Sequence, residues 1–302
     1  MNNKGSVLIF ILIFIAFSLG VVTVMHQRAG NALTSSSFLQ FEHQSSIYAM
    51  SAVEAVRELL EDDDNSYDYD GEIWAILPPF PVPNGFITIT VEPVNGRLSL
   101  NRIEGDNSSE NYFEACKKTL TTLTLDEFIC ASIKDWIDTD GDTSSGGEEN
   151  FSYLVDGKSY KTKNGKLETL RELYYINGAK ENIATLQQHF TNEGEEKLNL
   201  NFVTREALIG MVPDLENYAD SIISYRTGNI YKNVSNLLDA ATMPTDIYNT
   251  SLRYLGVKSS LFYVKTEVSL NDKSRFYHIL IRRDGSRTSV VKYIEGNDGI
   301  FF

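Results

Sequence analysis

The stretch Ser6 to Met25, SVLIFILIFIAFSLGVVTVM, contains no charged residue. As an α-helix, about 20 apolar residues match the hydrocarbon thickness of a bilayer. The run exceeds the apolar core of about 7–15 residues found in cleavable secretory signals, and no small-x-small cleavage site follows it. It therefore predicts a retained membrane anchor. Lys4 in the short head favours keeping that end cytoplasmic, while His26 and Arg28 beyond the run reduce the charge asymmetry. The rest of the chain then has to fold in water while tethered at its N-terminus.

The helical pattern continues past the apolar run. Residues 27–61 hold no proline and one glycine, Gly30. Ala49, Val53, Val56 and Leu60 fall on one helical face, and Glu54, Arg57, Glu58 and Glu61 on others. The spacing predicts one long helix that ends at the acidic run Glu61–Asp64 and Asn65. A loop over 67–76 and a proline-rich spacer at Pro78–Pro83 follow. Phe86–Pro93 alternates as a strand, and Asn95-Gly96 predicts a hairpin to a partner strand over Arg97–Asn101.

From Glu110 to about Val257 the periodicity becomes helical. Helices are expected over 110–120, 125–137, 169–175, 182–190, 205–211, 215–225 and 234–241. Period two then returns over 261–270, 276–284 and 289–296, with turns at Asn271-Asp272-Lys273 and Asp284-Gly285-Ser286. Three strands alone make a marginal sheet. The expected fold is therefore α+β: a long N-terminal helix packed on an antiparallel sheet, with a large all-helical domain inserted between the strands. The expected boundaries are a 1–5 leader, a 6–25 transmembrane helix, an α/β body over 26–105 and 258–302, and an inserted helical domain over 106–257.

A short lysine-glycine head, an apolar run and an amphipathic extension resemble the type IV pilin and pseudopilin family. That resemblance implies a prepilin peptidase cut after Gly5, with Ser6 as the new first residue. Most members carry glutamate five residues after the cut, where this chain has Phe10. The departure fits the K-type minor pseudopilins of type II secretion systems, because a buried glutamate in lipid is costly unless a neighbour pairs with it. Three further stretches resemble the K type in order. They are PPFPVPNGFITITVEPVNGRLSLN, DWIDTDGDTSSGGEENFSY and KLNLNFVTREALIGMVPDL. The resemblance implies a non-enzymatic subunit in the inner membrane with its globular part in the periplasm. It would cap the tip of the pseudopilus and help start its assembly for protein export across the outer membrane. Implied partners are the I-type and J-type minor pseudopilins, other pseudopilins, the inner-membrane assembly platform and the prepilin peptidase. A minor pilin of a type IV pilus shares the same plan and stays open.

DTDGDTSSGGEE, Asp138–Glu149, places oxygen side chains at loop positions one, three and five (Asp138, Asp140, Asp142) and Glu149 at position twelve. This is the spacing of a calcium loop, and Asp135 lies one turn earlier. Position six is Thr143 where an EF-hand has glycine, position eight is Ser145, and no clean helix is expected after Glu149. The K-type resemblance implies that the helical domain holds calcium in a structural role.

Cys116 and Cys130 form no zinc pattern; in an oxidising compartment they are either one disulfide or two buried free thiols, and the sequence leaves both open. The net charge of −14 argues against a nucleic-acid partner. Residues 200–226 have the look of a DNA-gripping helix-hairpin-helix, as in an anchored DNA receptor. Their turn, Gly210-Met211-Val212-Pro213-Asp214, sets an aspartate where phosphate would sit. His26, His43, His189 and His278 have no metal-ligand spacing, and no nucleophile, Walker A or dinucleotide motif is present. The apolar end Ile300-Phe301-Phe302 docks either on its own sheet or on a partner.

Overall fold

A computed structural model of the chain describes residues 3–104, 109–299 and 301–302. The side chains of residues 3–8, 10, 109 and 110 lie outside the description, so Gly5, Ser6 and Phe10 are placed only as helix backbone. Helix α1 runs unbroken from Asn3–Glu61. It includes one span long and apolar enough to cross a membrane. Ala49, Val53, Val56 and Leu60 are buried as one stripe, as their spacing predicts.

The stripe packs on a five-stranded antiparallel sheet. Its strands are β1 (Phe80–Val82), β2 (Gly85–Pro93), β7 (Leu261–Leu270), β8 (Lys273–Asp284) and β9 (Arg287–Gly296), in the order β1-β2-β7-β8-β9. Alternation along each strand sorts side chains between two faces. Ile87, Ile89 and Val91 of β2, Phe262, Val264 and Val268 of β7, and Tyr277, Ile279 and Ile281 of β8 meet α1. Leu261, Tyr263 and Leu280 point to the back face, with Val94, Phe301 and Phe302.

The hairpin expected at Asn95-Gly96 does not form. Val94–Gly96 is a single 3-10 turn, and Asn95 has φ −80° rather than the left-handed value a two-residue hairpin needs. The Asn95 side chain is instead committed to burial. Its amide donates to the carbonyls of Lys197 and Lys258, and its oxygen accepts from the Ser259 hydroxyl at 2.7 Å. Gly96 lies so close to Phe202 that a Cβ would stand 2.9 Å from its carbonyl oxygen. The next short strand, β3 (Leu98–Ser99), pairs in parallel with β4 (Phe190–Thr191) inside the helical region. A second such pair joins β5 (Leu198–Asn199) to β6 (Leu255–Gly256).

β2 therefore pairs directly with β7, from Gly85↔Leu270 to Pro93↔Phe262, and everything between them is an insertion. It contains α2 (Ser109–Thr122), α3 (Phe128–Ile137), α4 (Asn150–Val155), α5 (Ile183–His189), α6 (Arg205–Met211), α7 (Ala219–Tyr225), α8 (Leu237–Ala240) and α9 (Thr245–Tyr254) around their own core. Two helices were not anticipated. In α4, Phe151, Leu154 and Val155 face solvent, so its sequence carries no core-facing stripe; α9 buries little beyond Ser251. The segment over 169–175 is 3-10 rather than α-helix, beginning at Leu170 after a Thr169–Glu172 capping box.

The insertion leaves the sheet at the end where α1 stops. Arg283 at the close of β8 meets Asp63 just past α1, and the Asp68 N–H donates to the Val257 carbonyl at 2.7 Å. The opposite end is held lower on the helix, through Glu42–Arg275 and the Ser45–Tyr277 hydroxyl pair. Both chain crossings into the helical block thus lie at the end of α1 farthest from the apolar run.

Candidate metal centre

The acidic loop connects α3 to α4, and both helices are held by contacts outside the loop. Cys116 of α2 and Cys130 of α3 are joined in a disulfide with Cα atoms 6.1 Å apart. Two turns later Trp136 packs on Tyr153 of α4 and on Tyr160, with ring centroids 5.8 and 6.3 Å away. The carboxyl end of α3 and the amino end of α4 are thereby brought together. Asp138 caps the first and Glu149 the second.

Asp138, Asp140 and Glu149 each direct a carboxylate oxygen into one space, with these oxygens within 4.8 Å of one another. Asp138 is 2% and Glu149 4% exposed. Among the described residues, neither Asp138 oxygen has a hydrogen-bond partner, and Glu149 Oε1 has none. The nearest cation, Lys134 Nζ, stands 3.6 Å from Asp138 Oδ2. The second Glu149 oxygen, Oε2, is occupied by the Asn150 N–H and the Thr162 hydroxyl, both at 3.1 Å. Burial and the neighbouring carboxylate of Asp140 push Asp138 up to about 6, against the opposing pull of Lys134. Buried carboxylate oxygens without donors are costly, and a hard cation removes that cost. An all-carboxylate set without histidine or cysteine suits calcium or magnesium rather than zinc.

Two of the five expected ligands are placed elsewhere. Asp142 is exposed; its N–H donates to Asp140 Oδ1 at 2.8 Å, but its carboxylate is not among the three. Asp135 is fully buried, yet both its oxygens accept the Ser144 N–H at 3.1 Å, so it braces the loop. The brace needs Gly147, where a Cβ would stand 2.2 Å from Asp135 Oδ2. Thr162 and Asn164 were not legible as contributors. Asn164 Nδ2 donates to the Asp140 carbonyl at 2.8 Å, and only the tertiary fold brings this segment across the loop.

A second acidic group, Asp63, Asp68 and Glu72, has a resident cation of its own. The Arg283 guanidinium bonds Asp63 and Asp68 and donates to the Ser259 carbonyl at 3.0 Å. Burial, with Asp63 and Asp68 nearby, raises Glu72 to about 7. The hairpin over 200–226 turns its glycine inward: a Cβ on Gly210 would meet Thr119 Oγ1 of α2 at 1.9 Å. Gly210, Met211 and Val212 are buried there, which leaves no open amide nest for a phosphate.

Residues 96–190, which span this centre, match the family model described as "Type II secretion system (T2SS), protein K". The chain is similar to type II secretion protein K. It is 24% identical to that protein from Pectobacterium carotovorum subsp. carotovorum over 315 residues, which cover 96% of each chain. It is 20% identical to the protein K of Klebsiella pneumoniae, again over 96% of each. Among solved structures, a chain of the GspK-GspI-GspJ complex from the enterotoxigenic Escherichia coli type 2 secretion system superposes with a TM-score of 0.74. The match has 18% identity and covers 87% of this chain and 99% of that one. The fold expected from the K-type resemblance is thus the fold found, a long helix and antiparallel sheet carrying an inserted helical region.

Proposed function

We propose that this chain is a minor pseudopilin that caps the tip of a type II secretion pseudopilus and helps start its assembly. The observation that carries the reading is the position of the insertion. It joins the body at the end of α1 farthest from the apolar run, which puts its bulk in the way of a further subunit of the same plan added at that end. Below it, Leu33, Phe38, Leu39 and Ile47 stay exposed on α1 outside the uncharged stretch, an apolar surface suited to companion helices. The relation to protein K supports I-type and J-type minor pseudopilins as those companions. The anchor then lies in the inner membrane and the globular part in the periplasm. Cleavage after Gly5 would release Ser6 as the mature N-terminus.

In this reading calcium sits among Asp138, Asp140 and Glu149 and has a structural role. It neutralises three crowded carboxylates and clamps α3 to α4. No open catalytic position is implied.

The test is coexpression of the full chain with I-type and J-type pseudopilins, with and without a prepilin peptidase. The expected result is a mature N-terminus at Ser6 only with the peptidase, together with co-purification of both partners. An intact Met1 in the presence of the peptidase, or purification alone, overturns the reading.

A further inference from the structure

The last residues of the chain have a role in the fold that the filament reading does not use. Phe302 is fully buried and Phe301 nearly so, on the back face of the sheet against Val94, Leu261, Tyr263 and Leu280. The Phe301 ring stacks on the imidazole of His278 with centroids 3.9 Å apart. His278 lies in mid-β8 and is itself completely buried. Its Nε2 is 2.9 Å from the Asn297 carbonyl and its Nδ1 2.6 Å from the Tyr263 hydroxyl. A carbonyl only accepts, so Nε2 carries the hydrogen and Nδ1 accepts from Tyr263. The neutral ring satisfies both contacts.

The same segment grips the insertion. The Leu170 N–H donates to the Phe301 carbonyl at 2.9 Å. The Arg171 guanidinium lies 5.0 Å over the Phe301 ring and donates to Asn297 Oδ1 at 2.5 Å. Residues just past β9 thus hold both the sheet and the 3-10 segment Leu170–Tyr175 of the helical block.

We propose that Asn297–Gly299 with Phe301–Phe302 form a clasp that fixes the inserted block on the back of the sheet, and that protonation of His278 opens it. The Tyr263 hydroxyl can turn to the Gly299 carbonyl, 3.3 Å away, so a second ring proton loses no hydrogen bond. The penalty is charge burial. Of the groups that face the ring, Lys265 of β7 and Arg171 of the insertion oppose a positive charge, while Asp298 and the Asn297 carbonyl favour it. Burial dominates and holds His278 below its ordinary value. Lifting Phe301 away lets water reach the imidazolium and restores the ordinary value. The clasp is therefore fully closed above about pH 6.5 and loosens as the pH falls below it. The inference stands independently of the filament reading, since it uses only contacts within this chain.

The test is hydrogen exchange of the full chain in detergent micelles between pH 7.5 and 5.5, corrected for intrinsic rates, with β7 amides as internal reference. The expected result is a loss of protection at Leu170 and in the terminal peptide of up to about tenfold per pH unit below 6.5. The β7 amides should hold. His278→Gln, which keeps one donor and one acceptor, should remain closed across the range. Unchanged protection in the wild-type clasp, or an equal loss in His278→Gln, overturns the proposal. In the wild type alone, NMR of ring-labelled histidine should show His278 titrating together with clasp opening. Titration of His278 at its ordinary value while the clasp stays protected overturns it as well.

Discussion

The three-carboxylate centre makes a prediction that separates its members. At a calcium concentration of one hundred times Kd, binding only the folded state stabilises it by about 2.7 kcal/mol. For a cooperative unit of about 150–250 residues, each kcal/mol moves Tm by roughly 2–4 °C. Calcium added to chelator-treated protein should therefore raise Tm by roughly 5–11 °C. The structure distributes that effect unevenly. Asp138 has two buried oxygens with no donor, so Asp138→Asn should abolish the calcium response. Asp142 is exposed and its carboxylate is not among the three, so Asp142→Asn should leave most of the response intact. The assay is differential scanning fluorimetry of full-length protein in micelles, with calcium titrated after chelation and magnesium as comparison. No calcium shift in the wild type would refute the centre. Loss of the shift in Asp142→Asn with retention in Asp138→Asn would refute the assignment of its ligands.

Glu72 accepts the Trp74 indole N–H at 2.5 Å and is held near 7 by burial and by Asp63 and Asp68. A carboxyl raised in the folded state favours the protonated form, so its contribution is full below about pH 4.5 and is lost as pH climbs through 7. Glu72→Gln should flatten that slope and be more stable than wild type at pH 8 by on the order of 1–2 kcal/mol after solvent screening, read by denaturant melts. Gly210→Ala should cost about 3 kcal/mol, the upper end for overpacking, because the Ala115 carbonyl 2.7 Å from the new Cβ is backbone and cannot yield. Gly228→Ala, with open space around it, is the control in the same melts. Reducing the Cys116–Cys130 bridge frees a loop whose closure is worth about 3 kcal/mol, so Tm should drop in reductant and the Cys116→Ser variant should no longer respond.

What could be read from the residues depended on how far apart the interacting partners lie. The α1 stripe and the β7–β8–β9 meander are local patterns, and the spacing of Ala49, Val53, Val56 and Leu60 carries them. The convergence of the Asp138, Asp140 and Glu149 carboxylates was equally legible because one short segment holds all three. Asn95-Gly96 misled because a local turn preference gave way to three buried hydrogen bonds from segments more than a hundred positions away. Thr162 and Arg283 carry no local signal for the same reason. Each meets its carboxylate partner only after the chain has folded back, and neither sits in a distinctive sequence context.

The direct pairing of β2 with β7 also dictates the order in which the molecule can be completed. Val56 and Leu60 are made early, but the strands that cover them, β7 and β8, come last. Closing β2 onto β7 in an unfolded chain means bringing together the ends of a loop of about 170 residues, a cost that grows only as the logarithm of loop length. A folded insertion shortens that loop, because Asn95 and Ser259 at its two ends already bond each other. The helical block can therefore act as a template on which the sheet closes late. Until then the helix displays an apolar stripe to solvent, so the interval between synthesis of residue 61 and synthesis of residue 284 is the window in which this chain is most open to aggregation.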